Sequence, residues 1–317
     1  MKDREIIVSV RLMTYMHEQY IKQAMDSIMM QKTNFKVEVV VGDDFSTDNT
    51  LDVVNQYKDT NNISIKILKR VKGDEYWLKR QKLGRLYNFV NILENCSGKY
   101  IALLDGDDYW TDPLKLQKQV DFLEENDEFI LTAHNVMDFD EITQSMKPNK
   151  RNVQKDTVVE SEDLIKGQYL QILTLCFRNV LNFNHNFFNE ISNGDKYLTV
   201  HLGFKGKAMI MSDIKPGVYR KHPGGVWTKA TIYKQKKQSI KFAQVMQKML
   251  VDKPYFTSYY ENLENQLHKS ILSQPKILPN FINVLHHANM FFYTNGKYSN
   301  MFKMKHISKG LFKYLIK

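Results

Sequence analysis

Three carboxylates gathered around one glycine close an apolar run: Tyr100-Ile101-Ala102-Leu103-Leu104-Asp105-Gly106-Asp107-Asp108-Tyr109-Trp110. Like charges side by side raise the pKa of at least one carboxyl unless a cation compensates. Clustered hard oxygen donors suit Mg²⁺ or Mn²⁺, which bind through one or two carboxylates together with substrate phosphates. The competing reading is a solvated acidic turn ahead of a helix, because Thr111-Asp112-Pro113 has the form of a helix start. A second acidic pair, Asp43-Asp44, closes another strand-like stretch at residues 35–42. Gly106 is expected to let the backbone turn sharply between its acidic neighbours.

The elements that must hold these groups follow from hydrophobic periodicity. Residues 5–13 form a β-branched run, and residues 19–31 carry apolar positions at helical spacing. The run at 35–42 reads as a second strand, with Ser46 or Asp48 placed to cap a helix reaching about Tyr57. Residues 63–68 read as a third strand, residues 69–84 as a polar, basic connection, and 85–94 as a helix before the strand at 99–104. A β-α-β-α-β-α-β alternation predicts a mostly parallel sheet with helices on both faces. In such a sheet, ligands bind beyond the carboxyl ends of the strands, where both acidic clusters stand. Further on, the pattern predicts a helix over 113–126, a strand over 128–137, a polar loop over 140–157 and a strand over 169–177. A helix is expected over 196–204 after Asn193-Gly194-Asp195, then short strands at 207–212 and 217–219. From residue 229 the text is helical and lysine-rich.

Absences narrow the chemistry. No G-x-G-x-x-G follows the first strand and no G-x-x-x-x-G-K-[ST] occurs, so any phosphates must be held by metal and side chains. Cys96 and Cys176 lie far apart with no metal-site spacing and fit buried thiols in a reducing compartment. No signal segment opens the sequence and no apolar stretch is long enough to span a bilayer, which gives the expectation of a cytoplasmic protein. The net charge is +10, and residues 201–317 hold 20 Lys and Arg against 4 Asp and Glu. No RNP, helix-turn-helix or zinc-finger pattern accompanies that basic region, so nucleic acid is not expected as a partner. A basic surface dotted with Phe, Tyr and Leu can rest on an anionic membrane, and the plain alternative is a solvated lysine-rich face.

Three segments stand in order at characteristic spacing: Val8-Ser9-Val10-x-x-x-Thr14-Tyr15, Gly42-Asp43-Asp44-x-Ser46-Thr47-Asp48-x-Thr50, and Gly98-Lys99-Tyr100-Ile101-Ala102-x-Leu104-Asp105-Gly106-Asp107-Asp108-Tyr109-Trp110. Together they resemble glycosyltransferase family 2, the inverting GT-A enzymes, of the type that builds bacterial cell-surface polysaccharide. The resemblance covers about residues 5–228. It implies a GT-A, Rossmann-like domain over 1–228, and the basic, helical text over 229–317 gives the expectation of a second region serving acceptor or membrane association. It further implies a nucleotide-sugar donor, UDP-sugar first, a glycan or lipid-linked saccharide acceptor, and Mn²⁺ or Mg²⁺. The activity so implied is hexosyl or N-acetylhexosaminyl transfer in the cytoplasm, peripheral to the inner membrane.

Carried over by position, the resemblance gives Tyr15 to stacking near the base and Asp44 to the uracil N–H. Asp105 and Asp107 take the D-x-D places at ribose, sugar and metal, with Asp108 an alternative ligand. Asp195 falls at the catalytic base, and Arg220 and His222 at the diphosphate, with His222 also a metal ligand. Asp195 could otherwise cap the following helix. Met16 stands where Asn is usual, and Gly194 where an acid is more frequent. The Q-x-x-R-W motif of processive polymerases is absent, which favours single addition. Trp110 and Trp227 flank site loops and could stack on sugar or pack at loop bases, Arg80 and Arg85 could meet base or phosphate, and His134 could face the acceptor. The alternatives are a degenerate nucleotide-sugar-binding scaffold and a sugar nucleotidyltransferase.

Overall fold

The computed structural model describes residues 5–181, 190–191, 194–225, 230–274, 281–293, 303 and 306–308. The chain divides into two units, residues 1–189 with 194–222, and residues 190–193 with 223–317.

In the first unit, β1 (Ile6–Thr14) runs parallel to β2 (Lys36–Asp43) on one edge and to β4 (Tyr100–Asp105) on the other. β3 (Ile63–Ile67) continues beyond β2, also parallel. The chain therefore leaves β1 for β2 and β3, then returns to the opposite edge of β1 to lay down β4. That reversal makes a topological switch point, and the crevice lies outside the carboxyl ends of β1 and β4. Val8, Val10 and Leu12 are fully buried on one face of β1, and Ser9 and Arg11 on the other. Strands covered on both faces read as continuous rather than alternating apolar runs. On the first face α1 (Ile21–Met29) and α5 (Lys115–Glu125) supply Ile21, Met25, Ile28, Leu116 and Leu123 to the core. On the second, α4 (Leu86–Glu94) brings Phe89 to within 4.7 Å of the Arg11 guanidinium.

The sheet has eight strands, ordered β3-β2-β1-β4-β9-β5-β10-β8. β9 (Cys176–Arg178) sits antiparallel between β4 and β5 (Phe129–His134). β10 (Lys207–Met211) is parallel to β5, and β8 (Thr157–Val159) closes the edge antiparallel to β10. A second sheet, ordered β11-β6-β7, joins β11 (Gly217–Lys221), β6 (Val136–Asp140) and β7 (Ser145–Pro148). The parallel sheet with helices on both faces expected from the sequence is thus present, and Cys96 and Cys176 are buried free thiols.

Several expectations are corrected. The connection at 69–84 contains α3 (Glu75–Leu83), capped by the Asp74 carboxylate on Trp77 N–H at 2.7 Å and ended by Gly84 at φ +77°. The run at 128–137 is two strands in two sheets, because Asn135 turns its carbonyl to Gly217 N–H and its side chain to Val153. The polar loop at 140–157 holds β7, and 169–177 is a 3-10 turn (Ile172–Thr174) followed by β9. The short helices α2 (Thr50–Asn55) and α6 (Ser161–Ile165) and the helix α7 (Gly194–Gly203) complete the unit. Asn49, not Ser46 or Asp48, is the cap residue of α2, while Asp48 accepts from Thr50 N–H at 3.1 Å.

The second unit is helical, as its lysine-rich text predicts. α8 (Ile232–Met249) begins at Thr231, whose hydroxyl accepts from Lys234 N–H, and α9 (Pro254–Leu272) begins on a proline. With α10 (Phe281–Tyr293) they bury Ile240, Ile271, Leu272, Val284, Ala288 and Phe291. Among the described residues, no helix is long and apolar enough to cross a membrane.

Candidate active site

The carboxyl ends of β1, β2 and β4 deliver three loops to one side of the sheet. After β2, the two aspartates part company. Asp43 is buried and accepts from Ser46 N–H at 2.7 Å and from Ser46 Oγ at 2.5 Å, which closes the turn. Asp44 is left to face the cleft. Arg80 of α3 grips it with Nε at 3.0 and 3.1 Å from its two oxygens and Nη2 at 2.7 Å, and the Tyr76 hydroxyl stands 3.3 Å away. Tyr76 stacks on Tyr87 with ring centroids 5.5 Å apart, and the Arg70 guanidinium lies 3.8 Å from the Tyr76 ring. Arg70 is itself fixed by donating to Asp43 O and Asn91 Oδ1. The sequence offers this aromatic and guanidinium wall no periodic signal, because no residue of α3 is buried.

After β1, Tyr15 is exposed and Met16 adopts φ +55°. Asn enters that left-handed region more readily than other side chains, which gives the family's Asn a backbone reason. Met16 Sδ accepts weakly from Thr47 N–H at 3.4 Å, and Met16 N–H donates to Ser46 Oγ at 2.8 Å. The two loops are laced together.

After β4, the three carboxylates receive three different partners. Asp105 Oδ1 lies 2.6 Å from Nη1 of Arg11, a fully buried side chain on the neighbouring strand whose Nε and Nη2 find no hydrogen-bond partner among the described residues. Burial pushes the Asp105 carboxyl up, the Arg11 charge opposes this, and the Asp107 charge adds to it. Asp107 Oδ2 lies 3.2 Å from His222 Nε2 and 3.8 Å from His17 Nε2. Burial alone would raise Asp107, but the His222 hydrogen bond and the two imidazoles outweigh it and hold the carboxyl low. Asp108 is buried, and its Oδ1 accepts from Arg220 N–H at 2.9 Å. Burial and the Asp107 charge drive its pKa well above the usual carboxylate range.

Gly106 serves closeness rather than a left-handed turn, since its φ is not positive. A Cβ there would stand 2.8 Å from His17 Nδ1 and 2.9 Å from both Thr14 Oγ1 and Ile21 Cδ1. β11 supplies the opposite wall. Arg220 Nε donates to Asp107 O at 3.0 Å, its guanidinium lies over Tyr20 at 4.9 Å, and Tyr20 stands 4.7 Å from the His222 ring. Asp195 sits in the first turn of α7, which begins at Gly194, so it is not the residue preceding the helix. Its Oδ1 accepts from Lys196 N–H at 2.8 Å. Burial raises its pKa, and the Asp105 charge adds to the rise, which places it within electrostatic reach of the cleft.

The structure thus brings Asp105, Asp107, Arg220 and His222 together, sets Asp44 on the α3 wall, and leaves Tyr15 open to solvent. His17, Arg11 and Tyr76 join them unannounced by sequence reasoning. Arg11 carries the one usable signal, a lone guanidinium inside an apolar strand. Trp110 turns away: it is buried, its Nε1 donates to Leu173 O at 2.7 Å, and Lys115 Nζ lies 4.0 Å from its ring. Trp227 lies outside the described residues.

Among the described residues, no three His, Cys, Asp or Glu side chains already surround a common centre. Asp107 and His222 nevertheless form a donor pair of the type that Mn²⁺ accepts, with His17 next to it and its buried Nδ1 unpartnered. Such ions take their remaining ligands from substrate phosphates and water. The residues present fit a divalent ion.

Comparison with known proteins places this geometry. Over 224 residues the chain is 29% identical to the uncharacterized proteins Rv1520 of Mycobacterium tuberculosis and Mb1547 of Mycobacterium bovis, a match spanning 70% of this chain and 61% of theirs. Among solved structures, residues 1–349 of Staphylococcus aureus TarS in complex with UDP-GlcNAc superpose with TM-score 0.65 at 16% identity, covering 98% of this chain and 89% of that one. The mannosyltransferase PcManGT of Pyrobaculum calidifontis, in complex with GDP-Man and Mn²⁺, superposes with TM-score 0.50 at 15% identity over 99% and 88%. These likenesses fix the fold as GT-A. Residues 9–188 match the family described as Glycosyl transferase family 2, more than half of the sequence, and the chain belongs to that family.

Proposed function

We propose that this protein transfers a sugar from a nucleoside-diphosphate donor, a UDP-sugar in the first place, to a hydroxyl of a glycan or lipid-linked acceptor by a single inverting displacement. The observation that carries the reading is the pairing of Asp107 with His222 at 3.2 Å, two residues after Asp105 in the loop that follows β4. Solved relatives of the same fold bind UDP-GlcNAc and GDP-Man, which supports a nucleotide-sugar donor.

On this reading, Asp44 accepts the N–H of the base and Tyr15 folds down onto its ring. Asp105 takes ribose or sugar hydroxyls, its position set by Arg11 from behind. Arg220 and His222 face the diphosphate, and Asp107 with His222 would hold the ion. When bound, Mn²⁺ or Mg²⁺ neutralises charge on the departing diphosphate as a Lewis acid. Asp195 takes the proton from the acceptor hydroxyl as that oxygen attacks the anomeric carbon. Its raised pKa makes it a stronger base than an ordinary aspartate, and a positioned base contributes about 10²–10⁴ in rate, or about 3–5 kcal/mol of barrier. The lysine-rich α8 suits an acceptor held at an anionic membrane face, which co-sedimentation of the full chain with anionic against neutral vesicles would test.

The deciding experiment measures nucleoside-diphosphate release and donor binding across UDP-, GDP- and dTDP-sugars, with and without Mn²⁺ or Mg²⁺, for the wild type, Asp107→Ala and Asp195→Asn. Metal-dependent turnover of one donor, lost in Asp107→Ala, is expected, together with an Asp195→Asn protein that binds donor without turning it over. If no donor binds in the presence of metal, the transferase reading fails and a non-catalytic scaffold replaces it.

A further inference from the structure

A cavity of about 300 Å³ opens in the first unit between β5, β10 and the loops that follow β7 and α6. Ala133 and Ile210 contribute its apolar side, while His134, Asn149, Arg151, Asn152, Tyr169 and Gln171 bring polar groups. Among the described residues, no acidic one lines it. Its wall is built rather than incidental. Asn152 Oδ1 accepts from Val136 N–H and its Nδ2 donates to Val136 O, each at 2.9 Å. Asn135 clamps Val153 in the same reciprocal way at 2.8 and 2.9 Å, and Asn149 Oδ1 accepts from Arg151 N–H at 3.0 Å. Five side-chain bonds to backbone therefore hold the segment carrying Arg151 in place before any ligand arrives, which lowers the ordering cost of binding.

Two side chains of the lining keep donors that no described residue engages, the exposed Arg151 and the half-buried Gln171. The Arg151 guanidinium lies 4.8 Å from the Tyr169 ring and has no ion-pair partner among the described residues. Gln171 uses its Oε1 to accept from the Tyr169 hydroxyl at 2.6 Å, which leaves its amide N–H groups for a ligand. His134 donates Nδ1–H to Asn135 O at 2.9 Å, and burial drives its pKa down to about 3, so it stays neutral. Among the described residues of the lining, Arg151 is then the only formal charge.

The place of the cavity matters as much as its chemistry. Val136 on its wall pairs in register with Gly217 of β11, and Val218 next to it exchanges backbone hydrogen bonds with Tyr109 at 2.8 and 3.3 Å. A Cβ on Gly217 would stand 2.4 Å from Leu173 Cδ1, 3.2 Å from His134 Cε1 and 3.6 Å from Tyr109 O. The cavity is thus one strand, β11, away from Tyr109, which follows the Asp107-Asp108 pair. The phenol of Tyr169 is raised by burial and then by the negative charge of Asp195, so the proposed base and this wall share one neighbourhood.

We infer that this cavity is the acceptor subsite, and that it takes a hydroxylated ligand carrying a negative charge: a sugar or polyol bearing a carboxylate or phosphate. Arg151 pairs with the anionic group, while Gln171 and Tyr169 meet hydroxyls. The assignment of the cavity as acceptor subsite rests on the transferase reading above; its preference for anionic sugars does not.

The test uses the full chain and three probes on one scaffold: methyl β-D-glucopyranoside, D-glucuronate and glucose 6-phosphate. Binding is read by saturation-transfer NMR with and without UDP and Mg²⁺, for the wild type, Arg151→Ala and Ile210→Trp, and UDP affinity is measured separately by calorimetry. Both charged sugars should bind better than the neutral one, and Arg151→Ala should weaken them about tenfold, the worth of one charge-assisted hydrogen bond. Ile210→Trp fills the cavity and should abolish binding, with UDP affinity unchanged in both variants. Binding that survives both substitutions, equal binding of neutral and charged sugars, or no binding of any probe to the wild type would overturn the inference. A wild type that binds anionic sugars but not UDP would instead count against the donor reading.

Discussion

Removing the Arg80 side chain tests how the donor's base is read. Arg80 engages both oxygens of Asp44 through Nε and Nη2 at 2.7–3.1 Å, with the two side chains 22% and 15% exposed. A solvent-exposed ion pair is worth about 0–1 kcal/mol, and breaking a fully buried one costs about 3–5 kcal/mol. This pair lies between those limits, with forked geometry, so about 1.5–3 kcal/mol is at stake. If Arg80 orients Asp44 toward the base N–H, most of that appears in nucleotide affinity, as a rise of about 10–100-fold in Kd for Arg80→Ala. Arg80→Lys keeps the charge without the fork and should fall between. Titration calorimetry of UDP with Mg²⁺ would measure these variants alongside Asp44→Asn and the Asp44→Asn/Arg80→Ala double variant. The double variant should be little worse than the poorer single one, because both act through one contact. Unchanged or tighter binding in Arg80→Ala would refute the reasoning and show that Arg80 occupies the place the base must take.

Other positions give sharper or simpler readouts. Burial pushes Lys115 down to about 7, while an unfolded chain holds that proton to about pH 10, so wild-type stability should rise with pH between those values. Lys115→Met should flatten that rise and be more stable at pH 6, and an equal change in unfolding free energy between pH 6 and 9 for both proteins in urea melts would contradict it. Met16→Asn relieves a left-handed residue and should stabilise by about 1 kcal/mol, or about 2–4 °C in Tm, unless loss of the Thr47 contact to sulfur reverses the sign. Gly106→Ala forces a Cβ against His17 and Thr14 and should cost about 1–3 kcal/mol while weakening Mn²⁺ binding measured by electron paramagnetic resonance. In the same assay, Asp107→Asn should lose Mn²⁺ and Asp108→Asn should largely keep it, and the reverse ranking would reassign the ligand.

The sequence shows the central strands of the parallel sheet because they are buried on both faces, so that residues such as Val39 to Val41 and Ile101 to Leu104 form unbroken apolar runs. It also places Asp44, Asp105 and Asp107 at strand ends, which in this topology means the crevice. What it hides depends on contacts made across the chain. α3 buries none of its residues, so periodicity passes over it, and only the Asp74 cap and Gly84 mark its ends. β9 has three residues, too few to form a pattern, and is fixed by pairing with Tyr100 to Ala102 about 75 positions away. Gly106 looks like a turn residue but is required by His17, Thr14 and Ile21, side chains that approach it from β1 and α1. Trp110 looks like a sugar platform because it follows the acidic loop, yet burying its ring over Lys115 and satisfying its N–H on Leu173 leaves it no face to offer.

The division of labour among three adjacent carboxylates follows from who compensates each one. Asp108 is almost wholly enclosed, and its contact is a backbone N–H of β11, a dipole that cannot offset a full charge beside Asp107; its raised pKa is the result. A carboxyl so held resembles a hinge pin for the Arg220 strand more than an ion ligand. Asp105 faces a guanidinium with two unmade hydrogen bonds, an arrangement that costs about 1–3 kcal/mol for each orphaned donor. Fold stability alone gives no reason to keep it, since an apolar residue of similar volume would pack β1 against Phe89 without that penalty. The cost is explained if Asp105 must stay ionised and fixed while its like-charged neighbour holds a cation. Asp107 is the one left with partners of adjustable charge, the imidazoles of His222 and His17. Imidazole nitrogens can themselves serve a divalent ion as ligands, whereas the Arg11 guanidinium and the Arg220 N–H cannot. Position in the D-G-D-D sequence does not distinguish these residues; the elements behind them do, and they single out Asp107 as the proposed ion ligand.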